Sequence, residues 1–172
     1  GAYGINIDPT SLIWNSVSGA SNYRVQLALD NGFTQILKDS IVTSSTTRNY
    51  WGLSNGTNYF WRVKAYSTSI TNGDSSDWSG IRAFITKLAL PSHLSPSDNG
   101  YTSRNPLLTW TQSVGKTSYN VQYIKEGTND TITTYNVLTE AYGLAGLEVG
   151  AKYYWRVKAK NAGDSTEWTQ PW

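Results

Sequence analysis

The chain contains no cysteine. That excludes disulfides, thiol chemistry and thiolate metal sites, and leaves the compartment undecided. It contains one histidine, His93, lying between Pro91 and Pro96. No zinc site can be assembled from one imidazole without thiolates, and no nucleophile with an orienting carboxylate stands beside His93 to make a triad. It reads as a solvated linker residue. Charge is also scarce, with charged residues at 15% and a net charge of +2. That is too weak to imply nucleic acid or an anionic membrane as a partner. No apolar run approaches the roughly 18 residues of a membrane span. Gly1-Ala2-Tyr3-Gly4 has neither the basic start nor the apolar stretch of a signal peptide, so the targeting segment of a secreted parent is expected outside this chain. No glycine-rich phosphate loop follows a strand and opens a helix, and no cofactor is expected. A surface rich in Ser, Thr, Asn and Gly but poor in charge suits an extracellular setting.

What is present is a long repeat. Gly56-Thr57-Asn58-Tyr59-Phe60-Trp61-Arg62-Val63-Lys64-Ala65 returns as Gly150-Ala151-Lys152-Tyr153-Tyr154-Trp155-Arg156-Val157-Lys158-Ala159, a shift of 153 − 59 = 94 residues. Gly73-Asp74-Ser75-Ser76-Asp77-Trp78-Ser79 is echoed by Gly163-Asp164-Ser165-Thr166-Glu167-Trp168-Thr169. Upstream, Leu12-Ile13-Trp14 matches Leu108-Thr109-Trp110, and Tyr23-Arg24-Val25-Gln26 matches Tyr119-Asn120-Val121-Gln122. A solenoid repeats every ~20–50 residues; this period is that of a whole domain. Two domains of under about 100 residues have small cores, and the 8 Trp and 12 Tyr supply the bulk to fill them.

Hydrophobicity alternates with period two. Tyr59, Trp61, Val63 and Ala65 point inward from one strand while Phe60, Arg62 and Lys64 point outward. Tyr153, Trp155, Val157 and Ala159 repeat the inward set, with Tyr154, Arg156 and Lys158 outward. Asp30-Asn31-Gly32, Asn55-Gly56, Asn72-Gly73-Asp74, Asn99-Gly100 and Ala162-Gly163-Asp164 break the chain between runs. Short strands at roughly 8–12-residue spacing without an amphipathic helix predict an all-β antiparallel sandwich. The domains are expected at 1–87 and 88–172, joined by a short, semi-rigid linker at Lys87–Leu90.

The four blocks, twice in the same order, resemble the fibronectin type III family, especially modules of large bacterial surface and secreted proteins. The resemblance implies two tandem, immunoglobulin-like, seven-stranded β-sandwiches. It places Tyr59 and Tyr153 at tyrosine corners, and Trp14 and Trp110 between the sheets. The spacing departs from that plan at both ends. The first strand of domain one is expected to be short or absent, while at least sixteen residues precede Leu107 in domain two. The last strand of domain two is expected to be missing, because the counterpart of Phe84 falls at 168 + 6 = 174. A segment taken from a longer array is one explanation. Another is that alternating Tyr3, Ile5 and Ile7 supply the edge of a neighbouring copy.

Candidate chemistry is sparse. Asp74 with Asp77, and Asp164 with Glu167, offer too few oxygens for calcium and read as acids capping turn N–H groups. Trp78 over Arg62 and Lys64, and Trp168 over Arg156 and Lys158, form an expected cation–π ladder. The family resemblance supports that ladder, since cytokine-receptor modules with a Trp-Ser motif use one structurally. Because it is repeated, it reads as architecture. Trp51 is not repeated, since it aligns with Ala145. With Tyr50 and Leu53 inward, Trp51 points out and is a candidate to stack on a sugar or anchor a protein, as are outward Phe60 and Tyr154. Tyr66, Tyr101 and Tyr135 are further candidates. Arg-Gly-Asp is absent. Asn55-Gly56-Thr57 and Asn129-Asp130-Thr131 fit glycosylation acceptors. The expectation is a non-enzymatic extracellular spacer or adhesion segment with protein or glycan partners. A carbohydrate-binding accessory segment and a self-assembling filament or virion component are the alternatives.

Overall fold

The computed structural model describes residues 2–67 and 74–170. The chain divides into two units, Gly1–Thr86 and Lys87–Trp172, and no helix occurs among the described residues. Unit 1 has seven strands: β1 (Ala2–Ile5), β2 (Thr10–Ile13), β3 (Asn22–Ala28), β4 (Ile36–Thr43), β5 (Thr47–Tyr50), β6 (Asn58–Tyr66) and β7 (Arg82–Thr86). They form a five-stranded sheet ordered β1-β7-β6-β3-β4 and a β2-β5 pair. In unit 2, β8 (Leu107–Thr109) pairs with β11 (Ala141–Gly143). There β9 (Ser118–Lys125) lies between β10 (Ile132–Val137) and β12 (Tyr153–Lys160).

The repeat preserves register as well as residue type. Tyr23, Val25 and Leu27 face Ala65, Val63 and Trp61 across β3 and β6. Tyr119, Val121 and Tyr123 face Ala159, Val157 and Trp155 across β9 and β12. A one-residue slip would turn every one of these side chains to solvent, so the hydrophobic alternation fixes the pairing. Val25, Leu27, Val121 and Val157 are completely buried, each contributing about 1.5–3 kcal/mol relative to exposure. Trp14 packs edge-on against Tyr23 with centroids 5.5 Å apart, and Trp110 against Tyr119 at 5.2 Å.

Two tyrosine hydroxyls per unit then tie loops to strands. Tyr59 Oη accepts from the Ser54 N–H at 2.9 Å and Tyr153 Oη from the Glu148 N–H at 3.2 Å. Tyr23 Oη accepts from the Val17 N–H and Tyr119 Oη from the Ser113 N–H. Each hydroxyl satisfies a loop donor that no strand reaches.

The ends differ from the sequence expectations. The first strand of unit 1 is short but present, and it joins β7 in parallel with an irregular register between Ala2 and Ile5, where an antiparallel arrangement was expected throughout. Ile5 and Ile7 pack on the core of their own unit. The segment containing Tyr3, Ile5 and Ile7 therefore completes its own sheet, and a role as the edge of a neighbouring copy loses that support. In unit 2 the long approach to Leu107 forms no named first strand, only an isolated bridge from Ser95 to Thr109. Pro91, Pro96 and Pro106 each remove a ladder donor from this stretch.

Candidate functional site

The outward face of the five-stranded sheet carries the densest polar constellation in unit 1. Arg62 on β6 lies between two aromatic rings, with its guanidinium carbon 4.0 Å from the Phe33 centroid and 4.3 Å from that of Trp78. Its Nε and Nη2 donate to Gln26 Oε1 at 2.9 and 2.7 Å. Gln26 Nε2 donates to Asp39, which Arg24 grips with two hydrogen bonds. The Arg24 hydrogen bonds hold the Asp39 carboxyl below the usual carboxylate range, against a smaller opposing effect of burial. Asp39 in turn raises the Arg24 guanidinium above its ordinary value.

Phe33 reaches this face from the β3–β4 turn, where its backbone has φ +56°, a costly conformation for a bulky residue. Asp30 holds the turn by accepting from the Thr34 and Gln35 N–H groups at 3.1 and 2.7 Å. Those bonds, Gln35's foremost, lower its pKa.

Unit 2 builds the same line with fewer charges. Arg156 donates to Gln122 Oε1 at 2.8 Å, and Gln122 Nε2 donates to Thr133 Oγ1. Trp168 has Arg156 and Lys158 each 5.0 Å from its ring. Lys64 departs from the expected ladder: it lies 5.8 Å over Tyr66, an aromatic ring two residues on that unit 2 replaces with Lys160.

Both tryptophans are placed by a pair of hydroxyls that the sequence reading passed over. The Val63 N–H donates to Ser79 Oγ and the Ala65 N–H to Ser76 Oγ, both at 3.0 Å. The Ser79 and Ser76 N–H groups donate back to the Val63 and Ala65 carbonyls. Thr169 and Thr166 do the same for Val157 and Ala159. Hydroxyls three apart thus supply a ladder rail along half a strand edge, and the Trp between them is aimed at the Arg. The signal was available as a Ser or Thr two residues before and one after each Trp. Gln26 and Gln122 were likewise visible in the repeated Tyr-x-Val-Gln block.

The candidate contact aromatics of unit 1 lie on different sheets. Trp51 is 62% exposed and follows β5, on the two-stranded sheet, whereas Phe60 is half-buried on β6 of the other sheet. Tyr154, in unit 2, donates its hydroxyl to Glu126 at 2.7 Å and has Lys152 4.9 Å from its ring. Tyr101 and Tyr135 are exposed, but Tyr66 is buried at 8%, a correction to its expected outward role that follows from Lys64 covering it. His93 is exposed, with Nδ1 3.2 Å from Ser92 Oγ. Asp164 accepts from the distant Leu88 N–H at 3.1 Å and so ties a strand approach, whereas Asp74 and Asp77 are exposed. Among the described residues no cluster of three or more His, Asp or Glu is assembled.

Two sandwiches whose polar side chains are spent on internal rails define a class of all-β tandem module, and the architecture is that of paired fibronectin type III domains. The fibronectin type III domain model matches residues 90–172. The chain is similar in fold to a two-fibronectin-type-III-domain segment of chicken tenascin, at 21% identity and a TM-score of 0.58, covering 96% of this chain and 91% of that one. A second match, the FN1–FN3 domains of chicken CNTN1, has 15% identity and a TM-score of 0.38, covering 99% of this chain and 63% of that one. No curated protein matches the sequence.

Proposed function

We propose that this chain is a non-enzymatic, extracellular structural and interaction module, a tandem spacer or adhesion segment of a larger surface or secreted protein. The observation that carries this reading is the use made of its polar groups. Arg62, Gln26, Asp39 and Arg24 satisfy one another in a continuous line. Their counterparts in unit 2 serve the same structural purpose, and a repeated function of this kind is architecture. A catalytic centre instead leaves an acid, base or nucleophile free to meet a substrate. Because a fold hosts many functions, the compartment and partner class rest on family analogy and on the weakly charged surface.

One observation favours a second reading. Trp51 presents a flat apolar ring to solvent, the kind of surface on which a sugar face stacks, as in an accessory segment of a polysaccharide-degrading enzyme. The deciding experiment is binding of the chain and of Trp51→Ala to a broad glycan array. A spacer gives a blank array for both. A hit that vanishes in Trp51→Ala moves the carbohydrate reading to first place. Self-assembly, the third reading, requires a mass that rises with concentration, and a constant monomer mass removes it.

A further inference from the structure

On the outer face of unit 1 the chain covers its own arginine. The Phe33 ring lies 4.0 Å from the Arg62 guanidinium carbon, with Trp78 as the second ring at 4.3 Å. Ala28, opposite Phe60 across β3 and β6, is completely buried although it has the outward phase. The ring and hydrogen-bond partners of Arg62 come from β3, the β3–β4 turn and Trp78. None of them comes from β7, which borders β6 at Asn58–Trp61.

Unit 2 has the same floor without the ring. A shift of 129 − 33 = 96 sets Asn129 in the place of Phe33, and residues 126–131 of the β9–β10 turn include no aromatic. Ile124 stands in the place of Ala28, opposite Tyr154, and is only half-buried. A cavity of about 390 Å³ remains, with walls that include Gln122, Ile124, Thr131, Tyr154 and Arg156. That volume lies in the range of ligand pockets. Its walls belong to β9, β12 and the end of the turn, so the opening is set by the sequence of the turn.

Charge is open at the same place. In unit 1 Asp39 stands on β4 opposite Gln26, where it feels Arg62 as well as Arg24. In unit 2 Thr133 stands opposite Gln122. β9, β10 and β12 hold no acidic residue, while Arg156, Lys158 and Lys160 share the outward phase of β12. Glu126, in the turn, accepts from the Tyr154 hydroxyl. Arg62 uses both Nε and Nη2 on Gln26, whereas Arg156 uses Nε alone on Gln122. Among the described residues the Arg156 Nη groups have no acceptor. A guanidinium can take a carboxylate on its edge while an aromatic ring stacks on its face.

We propose that this slot of unit 2 is a docking site for an acidic segment of a partner protein that presents one aromatic residue with a carboxylate beside it. The ring stacks on Arg156 over Ile124, as Phe33 covers Arg62, and the carboxylate accepts from the Nη groups. The partner thus supplies from outside the ring and the carboxylate that unit 1 carries itself in Phe33 and Asp39. A neutral partner leaves the guanidinium edge unpaired. The proposal gives a partner chemistry to the interaction role proposed above and rests on that reading. The glycan array probes Trp51 in unit 1, so neither of its outcomes bears on this slot, and failure of the slot leaves the spacer reading standing.

The test titrates the full chain with the peptide acetyl-Asp-Phe-Asp-amide and follows backbone amide and arginine Nε–H signals by NMR. Saturable shifts are expected at Ile124, Tyr154 and the Arg156 Nε–H, with a dissociation constant on the order of 1 mM. The Arg62 Nε–H is expected to stay in place, because Phe33 already fills that position. Acetyl-Asp-Ala-Asp-amide, which lacks the ring, and acetyl-Lys-Phe-Lys-amide, which lacks the carboxylates, are each expected to bind about tenfold more weakly. Arg156→Gln is expected to abolish binding. Asn129→Phe gives the turn a ring of its own and is expected to weaken binding by about tenfold while leaving the core amide signals of both units unmoved. The absence of a saturable shift overturns the proposal. So does binding that is undiminished in the two variants, or equal for the alanine peptide, because the ring and the guanidinium are then not what holds the segment.

Discussion

The outer faces of the two units are one design with two endings. In each, an Arg on the long strand donates to a Gln on the neighbouring strand and lies beside a Trp set by a hydroxyl rail. In unit 1 the line ends in an ion pair, Asp39 with Arg24 at 2.7 Å, and the Arg is closed between two rings. In unit 2 it ends in a neutral hydroxyl, Thr133, and one ring is shared by two cations. The Gln is what the endings have in common: its carbonyl serves the Arg while its amide can serve either a carboxylate or a hydroxyl. The inward seam is conserved by packing and tolerates little, whereas the outward line needs only a chain of donors and acceptors. Charge can therefore be added or withdrawn there without altering the fold.

Substitutions can break this comparison at several strengths. The largest effect is expected at Phe84→Ala, which removes the ring stacked on Tyr59 and leaves a cavity in the core of unit 1. A cost of about 3–5 kcal/mol should appear as a lower urea midpoint for unit 1, with unit 2 amide signals unmoved. Next is Thr169→Ala, which leaves the Val157 N–H without an acceptor beneath a fully buried site. About 1–3 kcal/mol is expected, and Ser79→Ala on its exposed rail should cost less in the same urea titration.

The coupling of Arg62 to its rings comes third. A double-mutant cycle pairing Arg62→Lys with Phe33→Leu should give about 1–2 kcal/mol, against about 0.5–1 for Arg156→Lys with Trp168→Leu. The smallest effect is pH-dependent. Asp39 titrates lower in the folded chain than in the unfolded one. Its contribution is thus present above about pH 4 and fades as the pH falls through the depressed folded value. Solvent screening limits it to about 0.5 kcal/mol. Thermal melts of the parent chain and Asp39→Asn should converge as the pH is taken from 6 to 2, and a gap that widens would contradict the assignment.

Much of this was legible because period-two patterns constrain burial directly. The inward sets on β6 and β12, and the packing of Trp14 and Trp110, follow from alternation and volume. Trp51 is outward for the same reason, since its neighbours Tyr50 and Leu53 are buried. What escaped depends on relations that alternation does not encode. Phe33 reaches Arg62 through a positive-φ turn, and nothing in its spacing marks it as a partner. β1 joins β7 in parallel across the whole length of unit 1, a pairing without a local signal. Tyr66 has the outward phase yet is buried, because Lys64 covers it. Serine and threonine in a turn read as solvated residues until their position opposite free strand N–H groups is known.

That rail has a consequence for how much chain can be held between its anchors. Ala65 and Ser76 are 76 − 65 = 11 positions apart, and Ala159 and Thr166 are 166 − 159 = 7, yet both pairs make the same reciprocal bonds. Four residues have been inserted without disturbing a strand or moving the tryptophan off its arginine. Two point attachments, rather than a continuous ladder, make this connection a place where sequence can lengthen and diversify at almost no cost to the scaffold. A library grafted between such anchors would inherit a fixed base from the sandwich and a span limited only by its own composition.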